Sequence, residues 1–286
     1  MKLCLNLDTT KHPLTLGGAL TVRQEGEILA REQEVKEVCV QFSDNIEKDY
    51  RDIIWASVFR NAVTEFVHAN SIKSDVIYWP TPEQLEDVGF CFHSFSRVSH
   101  LCETYNVLPR LQWNKEFLKT ALRKIPRTKK VIGLHLKNVY PYCPEDSNVV
   151  WDVWRLFLKE TLVSHPNIHF VIVGDDEIEL DLDVFHNVTS AKDMSLNLSE
   201  QLAIIGELSG FLGLASGICT AANFSQVPYV IIKHPKHHSK EMAQELGSGE
   251  MFPFSMESQV LWRKAQTTDL LEEAVKFIVN SYEIKE

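Results

Sequence analysis

The stretch richest in chemical meaning is Gly213-Leu-Ala-Ser216-Gly217-Ile-Cys-Thr220. An apolar run over residues 211–214 feeds a Ser-Gly pair and then a helix-compatible stretch over 218–225. A helix that starts straight after a tight turn leaves backbone N–H groups unpaired at the positive end of its dipole. Such an end receives a phosphate-type anion without help from a cation. Ser216 and Thr220 can add hydroxyl donors. The same pattern also suits a plain strand-to-helix turn with Ser216 as an ordinary N-cap, and the residues alone leave both readings open.

Other polar groups stand where strands should end. His135 and Lys137 close an apolar run over 130–136, and Gly174-Asp175-Asp176-Glu177 follows another over 168–173. Asn197-Leu-Ser-Glu200 has capping-box spacing and should open a helix over 199–208 that carries Glu200 and Gln201 near its start. In open parallel sheets ligands bind beyond the carboxyl ends of the strands, so the loops 137–148, 174–177, 190–200 and 215–220 are the places to look. Near the start of the chain, Asp8 and His12 follow a first strand and precede Gly17 and Gly18. A carboxylate or imidazole there could act as a general base, and each also suits an ordinary turn or loop residue. Gly17 and Gly18 are candidates to meet a substrate through their backbone.

Several conspicuous groups read as bland. His234, His237 and His238 sit among lysines with no carboxylate or cysteine at ligand spacing, which favours a solvated loop over a zinc site. No metal site is expected. Trp151, Trp154 and Trp262 read as packing residues. Nucleophile-elbow, P-loop, metalloprotease and dinucleotide-fingerprint motifs are absent from the sequence, so hydrolases and kinases that use them find no support.

The elements that must position these residues alternate between strand and helix, which argues for α/β architecture with parallel sheets. Strands are expected over 3–7, 38–42 and 76–79, and helices over 17–32, 51–69, 90–105 and 114–124. After residues 126–130 the cycle restarts, with strands over 130–136, 168–173, 211–214 and 227–233. Helices are expected over 149–164, 199–208, 218–225 and 268–282. The fold class is therefore two Rossmann-like domains, 1–126 and 127–286, with parallel sheets facing a cleft.

At 286 residues the chain suits two small domains. Its composition, 44% apolar and 24% charged, is globular. A net charge of −10 argues against a nucleic-acid partner. Six cysteines without a C-x-x-C pair suit a reducing, cytoplasmic setting. The apolar stretch 202–222 is interrupted by Gly206, Gly210, Gly213 and Gly217, so it reads as a buried helix and strand, with peripheral membrane contact at most.

The runs VIVGDDEI, LSEQLAII, FLGLASG and VPYVIIK, between Phe170 and Lys233, resemble the C-terminal half of GT-B-fold glycosyltransferases. Heptosyltransferase-like and fucosyltransferase-like enzymes of bacterial surface polysaccharide synthesis are similar in style. The segment Phe252-Pro-Phe254 and the helix after it also resemble the ends of such proteins. The resemblance covers about the last 160 residues and rests on pattern, with no diagnostic catalytic signature.

The resemblance implies a nucleotide-sugar donor as substrate, a glycan or lipid-linked acceptor, and no cofactor. It implies that Ser216, Gly217 and Thr220 hold the diphosphate, that Gly174 and Asp175 approach the base or ribose, and that Glu200 or Gln201 faces the ribose hydroxyls. His135 matches a histidine that precedes an arginine-rich turn in the fucosyltransferase-like proteins. Lys137 stands here in place of arginine, a point charge instead of a bidentate fork. Asp8 and His12 would supply the base. Two other readings remain open, a sugar-nucleotide epimerase or hydrolase on the same fold and a non-catalytic nucleotide-sugar-binding or scaffold protein.

Overall fold

The computed structural model describes residues 2–7, 15–35, 37–42, 65–68, 76–79, 95–113, 115–126, 130–139 and 145–283. The chain divides into two compact units, 1–114 and 115–286. The division falls ahead of the expected boundary because the helix at Lys115–Leu122 packs against a helix of the second unit.

The first unit has a parallel four-stranded sheet in the order β3-β2-β1-β4, built from β1 (Lys2–Leu7), β2 (Glu37–Phe42), β3 (Glu65–His68) and β4 (Val76–Trp79). Its long helix α1 (Leu16–Glu32) starts at Thr15, whose hydroxyl accepts the Gly18 N–H at 3.1 Å. Leu3 and Leu5 of β1 are fully buried, and a methyl group at Gly26 of α1 would strike the Leu5 side chain. Glycine there lets helix and sheet approach closely. α1 also buries charge. Glu25 accepts from Arg97 of α2 (Ser96–Tyr105) at 2.9 Å, with both side chains almost wholly enclosed. Burial pushes the Glu27 carboxyl above its ordinary range and the Arg23 guanidinium below its own, although the two pair with each other. Such a pair fixes geometry more than it stabilises, because desolvation offsets most of the attraction.

The second unit carries six parallel strands in the order β10-β9-β8-β5-β6-β7. They are β5 (Lys130–His135), β6 (Ile168–Ile172), β7 (Val188–Ser190), β8 (Gly210–Leu214), β9 (Tyr229–Ile232) and β10 (Gln259–Trp262). The chain winds outward from β5 through β6 and β7, then crosses back to β8 on the other side and continues through β9 to β10. This is the doubly wound Rossmann order, and the direction in which successive strands are added reverses between β5 and β8. Helices α3 (Lys115–Leu122), α4 (Trp151–Ser164), α5 (Leu198–Ile205), α6 (Cys219–Asn223), α7 (Ser239–Leu246) and α8 (Thr268–Glu283) complete the unit. Strands β5, β6, β8, β9 and β10 are buried along nearly their whole length, as central parallel strands should be. Trp154, Phe157 and Phe170 meet edge to face in the core, and Leu271, Val275 and Ile278 of α8 join the same cluster.

Several expectations need correction. Residues 65–68, expected to end a helix, form β3, because the segment EFVH pairs with β2 in parallel; residues 51–64 lie outside the described residues. The short strands β7 and β10 and the helix α7 were not expected. α6 is five residues long, shorter than the helix expected over 218–225. The apolar stretch 202–222 divides among α5, β8 and α6, and no helix among the described residues is long and apolar enough to cross a membrane.

Candidate functional site

Three loops meet beyond the reversal between β5 and β8. Their convergence begins with register, since His135 at the end of β5 lies opposite Gly213 of β8. His135 is buried, and its Nδ1 lies 3.0 Å from the Val173 carbonyl oxygen. A carbonyl can only accept, so Nδ1 carries the ring proton and Nε2 keeps a lone pair. Burial lowers the His135 pKa, the Val173 bond and the Asp176 charge oppose that, and Lys137 adds to it. The ring is therefore neutral, and among the described residues nothing hydrogen-bonds Nε2. The nearest carboxylate oxygen, Asp176 Oδ2, is 4.0 Å away.

Gly174 makes this packing possible. Its φ of +117° is a left-handed conformation that side chains rarely adopt, and a Cβ there would stand 3.0 Å from His135 Nδ1. A Cβ there would also stand 4.0 Å from the side chain of Ile218, so the turn after β6 lies near the turn after β8. The Asn138 N–H donates to Asp176 Oδ2 at 3.2 Å, and the Asn138 amide donates to the Glu177 carbonyl at 3.3 Å. These bonds tie the loop after β5 to the loop after β6. Lys137 is buried to 6% exposure, and its ammonium donates to Ser147 Oγ at 3.4 Å. Among the described residues no carboxylate pairs with it.

The Ser216–Gly217 turn is half-exposed. Its detail differs from expectation. Ser216 Oγ accepts the Ile218 N–H at 3.1 Å and donates to Cys219 Sγ at 4.0 Å, which commits the hydroxyl to the turn. α6 begins at Cys219 and is too short to carry an appreciable macrodipole. Any anion here would be held by individual amides and by Lys137. Thr220 is buried at 3% exposure, and its N–H donates to the Gly217 carbonyl at 3.3 Å. Burial raises the Cys219 thiol to about 11, and Lys137 and Lys233 both act on it in the opposite direction. Both ammonium groups therefore lie within electrostatic reach of this turn.

Two further expectations meet a structural answer. Gln201 is buried at 1% exposure; its Oε1 accepts the Gly174 N–H at 2.8 Å and its Nε2 donates to the Leu196 carbonyl at 2.9 Å. It braces the turn after β6 and presents nothing to a ribose. Glu200 closes the capping box, accepting the Asn197 N–H at 2.8 Å while Asn197 accepts the Glu200 N–H at 3.0 Å. Asp175 is exposed next to Gly174. Gly17 and Gly18 fall inside the first turn of α1, where the Gly18 N–H is already capped by Thr15. Asp8 and His12 lie outside the described residues.

Asp176, Asn138 and Ser147 were not singled out from sequence. Asp176 was visible only as half of an acidic pair, and the other two join the site through contacts that no local spacing signals. His234, read as lacking a carboxylate partner, meets Asp146 Oδ2 at 3.2 Å. Among the described residues no group of three or more His, Cys, Asp and Glu could hold a metal ion.

No protein-family pattern matches the chain, and no curated protein sequence matches it. Solved structures do. The ADP-heptose LPS heptosyltransferase II of E. coli is similar over 99% of this chain and 100% of its own, with a TM-score of 0.58 at 11% identity. A family 9 glycosyl transferase from Veillonella parvula matches over 98% and 97%, with a TM-score of 0.55 at 11% identity. An E. coli heptosyltransferase solved with ADP-2-deoxy-2-fluoro heptose matches over 96% and 99%, with a TM-score of 0.52 at 9% identity. The chain thus has the GT-B-type fold of these heptosyltransferases.

Proposed function

We propose that this chain is a glycosyltransferase that moves a sugar from a nucleotide-activated donor to a glycan or lipid-linked acceptor. The observation that carries the reading is the meeting of Lys137, His135, Gly174 and the half-exposed Ser216–Gly217 turn at the strand-order reversal of the second sheet. The fold likeness to heptosyltransferases along nearly the whole chain supports it.

The chemistry follows from what the residues can do. Departure of a nucleoside diphosphate builds negative charge, and preorganised donors aimed at that charge lower the barrier. Lys137 supplies a buried point charge, held in place by Ser147. The Ser216 and Gly217 amides supply neutral donors at the half-exposed turn. The half-buried Asp176 carboxylate, with the enclosed His135 ring 4.0 Å from it, is an acceptor suited to a hydroxyl or amino N–H of the donor. Gly174 and Asp175 approach the base or ribose on this reading. Asp8 or His12 takes the proton from the acceptor hydroxyl. On this reading the leaving group needs no metal ion.

The test is turnover. The chain is incubated with ADP-, GDP- and UDP-activated sugars, with and without acceptor glycans, and nucleoside diphosphate release and products are read by mass spectrometry. Acceptor-dependent release from one donor class, unaffected by EDTA, is the expected result. Conversion of donor without acceptor would make the chain an epimerase or hydrolase instead, and binding without release from any donor would contradict the proposal.

A further inference from the structure

The loop that carries Lys137 leaves β5 and returns at α4, and a distant residue holds its returning arm. The Val149 N–H donates to the Lys137 carbonyl at 2.8 Å, and the Val139 N–H donates to Asn148 Oδ1 at 2.9 Å. These two bonds bring the ends of the loop side by side. The Lys137 ammonium then reaches Ser147 Oγ on the returning arm at 3.4 Å. Where residues 147–149 stand therefore sets where Lys137 stands.

α4 does not hold that arm with its own side chains. Its N-cap is Val150, which makes no side-chain cap, and Val153 three positions on is apolar as well. At α5 the residue in that place, Glu200, accepts the N-cap N–H. At α4 the equivalent bond comes from Gln266, whose Oε1 accepts the Val150 N–H at 3.2 Å across 116 residues of chain. The same oxygen accepts from Trp154 Nε1 at 2.8 Å, so a fully buried indole fixes its place. Gln266 Nε2 donates to the Asn148 carbonyl at 2.7 Å. Gln266 also departs from a fixed point. Thr267 Oγ1 beside it accepts the Leu270 N–H at 3.2 Å at the start of α8, which packs against α4 and β8.

We propose that Gln266 is the positioning residue for Lys137. It bonds a carbonyl and an N–H of the returning arm, and through the Val149–Lys137 bond it sets where the buried ammonium stands. Its consequence for a diphosphate rests on the function proposed above, whereas the fastening of the loop does not.

The test separates the two. Gln266→Glu keeps the acceptor for Trp154 and Val150 and, at neutral pH, loses the donor to Asn148, so the core bond survives while the arm is released. Gln266→Leu loses all three bonds, and should it fail to fold, the glutamate variant decides. Amide exchange in the ligand-free chain is read at Val149 and, as an internal control, at Val173, whose N–H bonds the Leu134 carbonyl. Exchange at Val149 should rise about tenfold relative to Val173 in the variants. Unchanged relative exchange would overturn the proposal, whether or not any diphosphate binds. Calorimetric titration with ADP, GDP and UDP reads the consequence. Gln266→Glu should weaken binding about fivefold or more, and adding it to Lys137→Gln should weaken binding no further, since both act through one ammonium. Unchanged binding in Gln266→Glu, or losses that simply add, would mean that Gln266 only supports the fold, and the proposal would fall. A native chain that binds none of the three contradicts the diphosphate reading of the site, and exchange at Val149 alone then decides the role of Gln266.

Discussion

A buried neutral imidazole is the most informative single residue of the site. Holding His135 neutral leaves an enclosed lone pair on Nε2, and it also couples folding to pH. Its pKa in the folded chain lies below the ordinary histidine value of about 6.5. As pH falls below that value, the unfolded chain takes up a proton that the folded chain refuses. Stability is therefore highest above pH ~6.5 and declines below it, until the folded-state value is passed. Asp176 opposes this shift and Lys137 reinforces it. The unfolding midpoint should drop between pH 7.5 and 5.5, and drop by less in His135→Gln, as scanning calorimetry at both pH values would show. Equal drops would mean that His135 is not the group responsible. The position of His135 at a strand end was legible in the sequence, from the apolar run that precedes it. Its bond to Val173 and the commitment of Gln201 to Gly174 were not, because these partners lie 38 and 27 residues apart and no periodicity links them.

At the scale of elements, legibility followed the strength of the local signal. The capping box at Asn197 and Glu200 formed as its spacing predicts, and the amphipathic helix from Thr268 runs to Glu283. β7 and β10 escaped notice because three or four residues hold too little pattern, and it is pairing with β6 and β9 that makes them strands. β3 overrode a four-residue apolar period for the same reason. The docking of α8 shows how one position sets a whole element. A methyl group at Gly210 of β8 would fall on Cγ2 of Ile278, so α8 lies against the sheet only because that methyl is missing. Gly210→Ala should cost about 1–3 kcal/mol by overpacking. Ile278→Ala should cost about 2–5 kcal/mol by leaving a cavity. Denaturant unfolding should show the double variant less destabilised than the sum of the two, since each change makes room for the other. Simple additivity would show that the helix docks elsewhere.

At the scale of the molecule, the alternation of strand and helix announced the α/β class, and the strand order did not follow from it. Whether the third crossover of the second unit lands beside β5 or beside β7 decides where the reversal falls, and only the pairing of Ile132 with Gly210 answers that. With β8 beside β5, the loops bearing Lys137 and Ser216–Gly217 become neighbours, and the likeness to heptosyltransferase structures extends over nearly the full chain. The account rests on those neighbouring loops receiving a diphosphate. Its most direct test is calorimetric titration of ADP, GDP and UDP into the native chain and into Gly217→Val, with folding of the variant verified by its unfolding transition. The account predicts saturable binding of at least one diphosphate to the native chain and its loss in the variant. A native chain that binds none of the three, or a variant that binds as the native chain does, would contradict it.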